Sequence, residues 1–76
     1  SIAQIAIETL NSLNRLTQKK DRLLEIVEDG RILTDELEDF KSIKETLDRI
    51  SVSVGALQLW VDGQIAVGEL NKEDFD

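Results

Sequence analysis

The clearest pattern in the chain is a stripe of apolar residues in its second half. Between Phe40 and Val61, an apolar side chain recurs at alternating steps of three and four residues. The members of this stripe are Phe40, Ile43, Leu47, Ile50, Val54, Leu57 and Val61. Since an α-helix has about 3.6 residues per turn, this spacing places them all on one helical face. The stripe predicts a long helix whose apolar face is covered by other helices.

This long helix is predicted to begin near residue 35 and to end near residue 61, or to continue to about residue 67. Thr34 or Asp35 is the expected N-cap, and the segment from Asp35 to Glu38 has the D-x-x-E form of a capping box. Gly68 is the expected closing residue of the longer version. Residues 69–76 are then an acidic tail outside the helix.

A wider and less regular apolar stripe precedes it and predicts a first helix over about residues 3–29. Lys20 falls on this stripe, where its stem packs and its ammonium reaches water, or where it selects a register or a partner. Gly30 suits the left-handed residue that ends a helix, and residues 30–34 form the link. The prediction is one all-α domain over residues 1–76, an antiparallel helical hairpin that associates into a helical bundle.

Residues 51–61 carry no charge, and a second apolar line appears there beside the first. A helix that is apolar around most of its circumference is buried on several sides, which a single hairpin cannot provide. A β-hairpin within residues 50–67 is the alternative. Ile50, Val52 and Val54 alternate as in a strand, and Asp62-Gly63 is a two-residue turn signal.

The composition disfavours catalysis and metal binding. The chain has no cysteine and no histidine, so the usual nucleophile–base pairs and the common transition-metal ligands are missing. The acidic residues fall mostly on exposed helix faces, and no glycine-rich phosphate loop or EF-hand spacing is present. We therefore expect a protein that is not an enzyme, with no cofactor, no metal site and no small-molecule substrate.

The net charge of −7 is concentrated toward the end of the chain. Residues 51–76 hold one basic and five acidic side chains, which is a net charge of −4. No basic face outweighs the acidic residues, so direct nucleic-acid binding and attraction to an anionic membrane surface are disfavoured. No uninterrupted apolar run approaches about 18 residues, and no signal-type segment is visible, so we expect a cytoplasmic protein without a membrane span.

These patterns predict a protein–protein interaction and oligomerisation module that acts as a small assembly or structural adaptor. The predicted interface consists of the apolar stripe and the single tryptophan: Phe40, Ile43, Leu47, Ile50, Val54, Leu57, Trp60 and Val61. A homodimer is favoured over a trimer, with another protein as a further partner. The alternatives are an acidic helical inhibitor of a nucleic-acid-binding protein, an assembly chaperone or scaffold, and the dimerisation domain of a transcription regulator.

Overall fold

The computed structural model describes the backbone of residues 1–75 and the side chains of residues 1–72. Three α-helices follow one another in the chain: α1 (Ile2–Gln18), α2 (Lys20–Glu28) and α3 (Leu37–Phe75). A short 3-10 turn, Thr34–Glu36, leads into α3. The described residues contain no strand, so the all-helical prediction is confirmed.

The first predicted helix is divided into two. The α1 helix begins at a capping box, in which Ser1 Oγ accepts a hydrogen bond from the Gln4 amide and Gln4 Oε1 accepts one from the Ser1 amino group. The regular geometry is interrupted at Lys19, whose N–H bonds to the Leu16 carbonyl at 3.0 Å. Lys19 Nζ also donates to Ser42 Oγ in α3, so the interruption lies at a contact between helices.

The link between α2 and α3 uses different caps from those predicted. Gly30 adopts the predicted left-handed conformation, with φ of 68°. Neither Thr34 nor Asp35 caps the following helix, because Thr34 and Asp35 already belong to the 3-10 turn. Instead, Glu36 Oε1 accepts a hydrogen bond of 2.9 Å from the Leu33 amide. Glu36 is buried, so its carboxylate caps the start of the 3-10 turn on the side that faces the interior.

The α3 helix is longer than predicted. It continues through Gly63 and Gly68 to Phe75, so residues 69–75 belong to the helix and do not form a separate tail. Nothing in the described residues lies within 4 Å of a side chain built at either glycine, so neither marks a close approach. Each glycine costs a helix about 1 kcal/mol relative to alanine, and with no proline this is too little to end it. The β-hairpin alternative for residues 50–67 is therefore wrong.

The α1 and α3 helices pack side by side with opposite directions. Ser1 and Ile5 lie beside Val52 and Ala56, whereas the other end of α1 reaches Ser42. The molecule is elongated, with dimensions of 61 × 24 × 16 Å and a radius of gyration of 18.1 Å. A compact chain of this length has a radius of gyration of about 11 Å. Since α1 begins beside Ala56, the part of α3 that follows Ala56 extends beyond α1.

Candidate association surface

The line along which α1 and α3 meet consists largely of hydroxyl side chains. Thr9 and Ser12 of α1 are buried, and so are Thr46 and Ser53 of α3. Thr9 Oγ1, Thr46 Oγ1 and Ser53 Oγ each donate to a carbonyl three or four residues earlier in their own helix. Back-bonding of this kind satisfies a buried hydroxyl without a partner on the neighbouring helix. Small polar residues therefore form much of the line where the two helices meet, and Ile43 is the one large apolar side chain of α1 and α3 that is buried among the described residues.

A group of leucine and valine side chains from both helices lies on one side of this line, whereas Val52 lies on the other. At 100° per residue, Leu10 and Leu13 lie about a quarter turn beyond the buried residues of α1 in the direction of increasing number. Leu47 and Val54 lie about a quarter turn beyond the buried line of α3 in the same direction. Because the helices are antiparallel, equal rotations bring both sets to the same side. We call this surface, formed by Leu10, Leu13, Leu47, Val54 and Val61, the apolar face.

The opposite side of the pair is polar toward the link between α2 and α3. We call this end of the molecule the closed end. A cleft of about 300 Å³ lies there between α1 and α3. Its lining residues are Arg15, Gln18, Lys19, Ser42, Glu45, Thr46 and Arg49. Charged residues of both helices thus share one side, which agrees with the position of the apolar face on the other. In this part of the molecule the helix pair is therefore polar on one side and apolar on the other.

The predicted interface residues occupy three different environments. Ile43 is buried within the chain itself, with only 1% of its surface exposed. Phe40, Ile50, Val54 and Leu57 are half-buried. Leu47, Val61 and Trp60 are exposed, at 44%, 43% and 47%. The stripe therefore has one edge against α1 and α2 and the other edge open.

Sequence reasoning about the interface left out the contribution of the first two helices. Leu10 is 65% exposed, and Leu13, Leu24 and Val27 are also exposed. The apolar stripe of the first predicted helix carried this signal. Because that stripe is wide, the sequence does not show which of its residues are buried and which are exposed. The hydroxyl line shows this, since it marks the side of α1 that faces α3.

The part of α3 after Leu57 has no neighbouring helix among the described residues. Every residue from Gln58 to Lys72 is exposed. We call this segment, residues 58–72, the free end. At 1.5 Å per residue it extends about 22 Å past the first residues of α1. It includes six large apolar side chains in the exposed class: Leu59, Trp60, Val61, Ile65, Val67 and Leu70.

A cluster of charges joins α2 to the start of α3. Arg22 Nε donates to Asp39 at 2.8 Å, and Arg22 Nη1 donates to Glu25 at 3.0 Å. Glu36 Oε2 lies 3.9 Å from Arg22 Nη1. The hydrogen bonds to Asp39 and Glu25 raise the pKa of Arg22 above its ordinary value. These contacts hold the closed end of the molecule together, and no catalytic arrangement is present among them.

Within the described residues, no group of three or more acidic side chains converges as a metal site would require. One helical segment, Thr34–Lys72, contains an 18-residue window with a mean hydropathy of 1.3, which is long and apolar enough to cross a membrane by length and composition. Scattered polar residues such as Gln58, Asp62 and Gln64 interrupt the apolar run without lowering its mean below that of a span. Only 6% of this window is buried within the chain.

Comparison with known proteins adds no assignment. No protein family matches the sequence, and no curated protein or solved structure matches it at a significant level.

Proposed function

We propose that this chain is a non-enzymatic self-association module, a helical hairpin that forms a homodimeric four-helix bundle and serves as a small assembly or structural adaptor. The apolar face is the observation that carries the proposal. It combines exposed leucine and valine side chains from both α1 and α3 on one side of the pair. A second copy of the same face covers it with side chains of the same kind, as a two-fold interface requires.

The exposed area supports the same proposal. The chain has an accessible surface of 6067 Å² and a mass of 8.6 kDa. A compact monomer of this mass exposes about 4,700 Å². Each chain therefore exposes about 1,400 Å² more than a compact monomer does, and two chains together about 2,700 Å² more. Obligate homodimers bury about 2,000–5,000 Å², so the excess is the amount that a stable dimer interface removes.

Substitutions on α3 test the proposal with a matched control. Leu47→Glu places a charge on the apolar face, whereas Val52→Glu places one on the other side of the same helix, at a residue that is 77% exposed. We expect light scattering to give a dimer for the wild type and for Val52→Glu, and a monomer for Leu47→Glu. A dimer that survives Leu47→Glu unchanged would contradict the use of this face.

An assembly chaperone or scaffold is the second candidate, and the exposed free end of α3 favours it. In that case the apolar surface stays open until a partner's helix covers it. A dye that fluoresces on exposed apolar surface separates the two functions. The self-association module gives weak fluorescence at concentrations where it is dimeric. A chaperone gives strong fluorescence that falls when an amphipathic peptide is added.

A further inference from the structure

Trp60 continues a line of residues on α3 whose earlier members face α1 or α2. Asp39, Thr46 and Ser53 are spaced seven residues apart on the side of α3 that faces α1 and α2, and Trp60 is the next member of this series. Asp39 contacts Arg22, while Thr46 and Ser53 are buried. At Trp60 the described residues place no helix against this side of α3, because α1 begins beside Ala56. The indole is 47% exposed.

A groove of matching character lies at the other end of the molecule. It has a volume of about 210 Å³ and lies where α1 meets α2. Its lining residues are Leu16, Thr17, Lys20, Leu23 and Leu24. The groove is apolar apart from Thr17, whose hydroxyl donates to the Leu13 carbonyl, and Lys20. No described carboxylate lies within 4 Å of the Lys20 ammonium. An aromatic ring fits such a groove, because a lysine ammonium is attracted to the face of an indole.

We infer that Trp60 of one copy docks in this groove of a second copy, in an antiparallel dimer. This inference rests on the proposed self-association and specifies its geometry. In an antiparallel pair of α3 helices, the apolar stripe matches itself when Ile50 faces Val54 of the second copy. Leu47 then faces Leu57. In this register Trp60 of the second copy lies level with Lys44, two residues from Ser42. The contact between Ser42 and Lys19 shows that this level of α3 lies beside the part of α1 and α2 that forms the groove.

Charge and area both favour a second copy as the occupant. Residues 58–72 carry one basic and two acidic side chains, whereas residues 15–25 carry four basic and two acidic ones. A parallel arrangement brings the two free ends together, whereas an antiparallel one separates them and brings each near the basic segment of the other copy. The excess surface of about 2,700 Å² for two chains also matches a homodimer interface.

Engineered disulfides test this arrangement directly, because the natural chain has no cysteine. The double variant Lys20→Cys with Trp60→Cys is oxidised and resolved on a non-reducing gel. Ser42 and Trp60 are 18 residues apart on α3, which is about 27 Å, and a disulfide needs Cα atoms within about 7 Å. The bond therefore forms only between copies. The control replaces Trp60→Cys by Leu59→Cys, which lies on another side of α3.

We expect at least about ten-fold more covalent dimer from the Lys20–Trp60 pair than from the Lys20–Leu59 control, because only the first pair meets the geometry of a disulfide. Lys20→Cys with Gln64→Cys repeats the test one turn along α3 with the tryptophan in place. Light scattering of the reduced samples is measured in parallel. Dimers that form neither predicted disulfide overturn the docking of Trp60 and leave self-association intact, whereas reduced wild-type monomers overturn both.

Discussion

Arg22 Nε and Asp39 Oδ2 lie 2.8 Å apart, which joins α2 to α3 across 17 residues of sequence. Arg22 also contacts Glu25 and lies near the buried carboxylate of Glu36. One guanidinium thus serves three acidic residues at the end of the molecule where the chain turns back. Planar guanidinium groups suit such multiple contacts better than a lysine ammonium does.

Replacing Arg22 is expected to weaken the closed end. Arg22→Ala removes the cation from three carboxylates, so we expect a lower urea midpoint than for Lys44→Ala, which removes only a pair with Asp48 within one helix. Arg22 is partly exposed, so added salt screens its contacts and the difference between the two variants shrinks at high ionic strength. Equal midpoints at low salt would show that Arg22 has no special role.

Glu36 is expected to stabilise the folded protein through its hydrogen bond to the Leu33 amide. Glu36→Ala removes the acceptor and leaves a backbone N–H without its partner, which costs about 1 kcal/mol of unfolding free energy, as for the loss of a helix cap. Glu36→Gln keeps an acceptor oxygen in the same place and is expected to recover most of this loss. Chemical denaturation followed by circular dichroism measures both values. Similar losses for the two variants would point to the charge of Glu36 as the stabilising feature.

The hydroxyl line between α1 and α3 leaves little room for larger side chains. Ser12 is fully buried, and its Oγ accepts a hydrogen bond of 2.8 Å from Arg15. Ser12→Leu forces the helices apart, with an expected cost of about 1–3 kcal/mol, as for other overpacked cores. Asn11→Leu makes the neighbouring change at an exposed position and is expected to cost less than about 0.5 kcal/mol. Equal thermal stability of the two variants would contradict close packing at Ser12.

The helical class followed directly from the sequence, because the three-four spacing from Phe40 to Val61 has one simple physical interpretation. Gly30 likewise marked the end of α2 correctly, since few other residues adopt its positive φ without strain. The continuation of α3 past Gly63 was harder to predict. The two alternatives were a helix that continues through Gly63 at a small energetic cost and a β-hairpin with its turn at Asp62-Gly63.

Two features of the association surface depended on contacts that no local pattern encodes. The break at Lys19 coincides with its hydrogen bond to Ser42, 23 residues away. The hydroxyl line is similar: the sequence does not show that Ser12 and Thr46 face one another across two helices, and they are buried because α1 lies against this side of α3. Leu10 and Leu13 consequently remain exposed, although their spacing is typical of a core.

The apolar window in α3 gives a prediction about lipid. If a second copy covers this helix, the protein has little free apolar surface for a bilayer, and Asp62 would be costly inside one. We expect the protein to remain at the bottom of a density gradient when it is mixed with neutral or anionic vesicles. Leu47→Glu, which opens the dimer, serves as the comparison. Flotation of the wild type with neutral vesicles would show that the lipid, rather than a second copy, covers α3.

The central claim is that two chains cover one another's apolar face, and sedimentation equilibrium over a range of protein concentrations tests it most directly. The prediction is a mass of twice the 8.6 kDa of one chain at micromolar concentration, with dissociation only on strong dilution. A mass of 8.6 kDa throughout this range, with the helical circular dichroism spectrum retained, would contradict the claim.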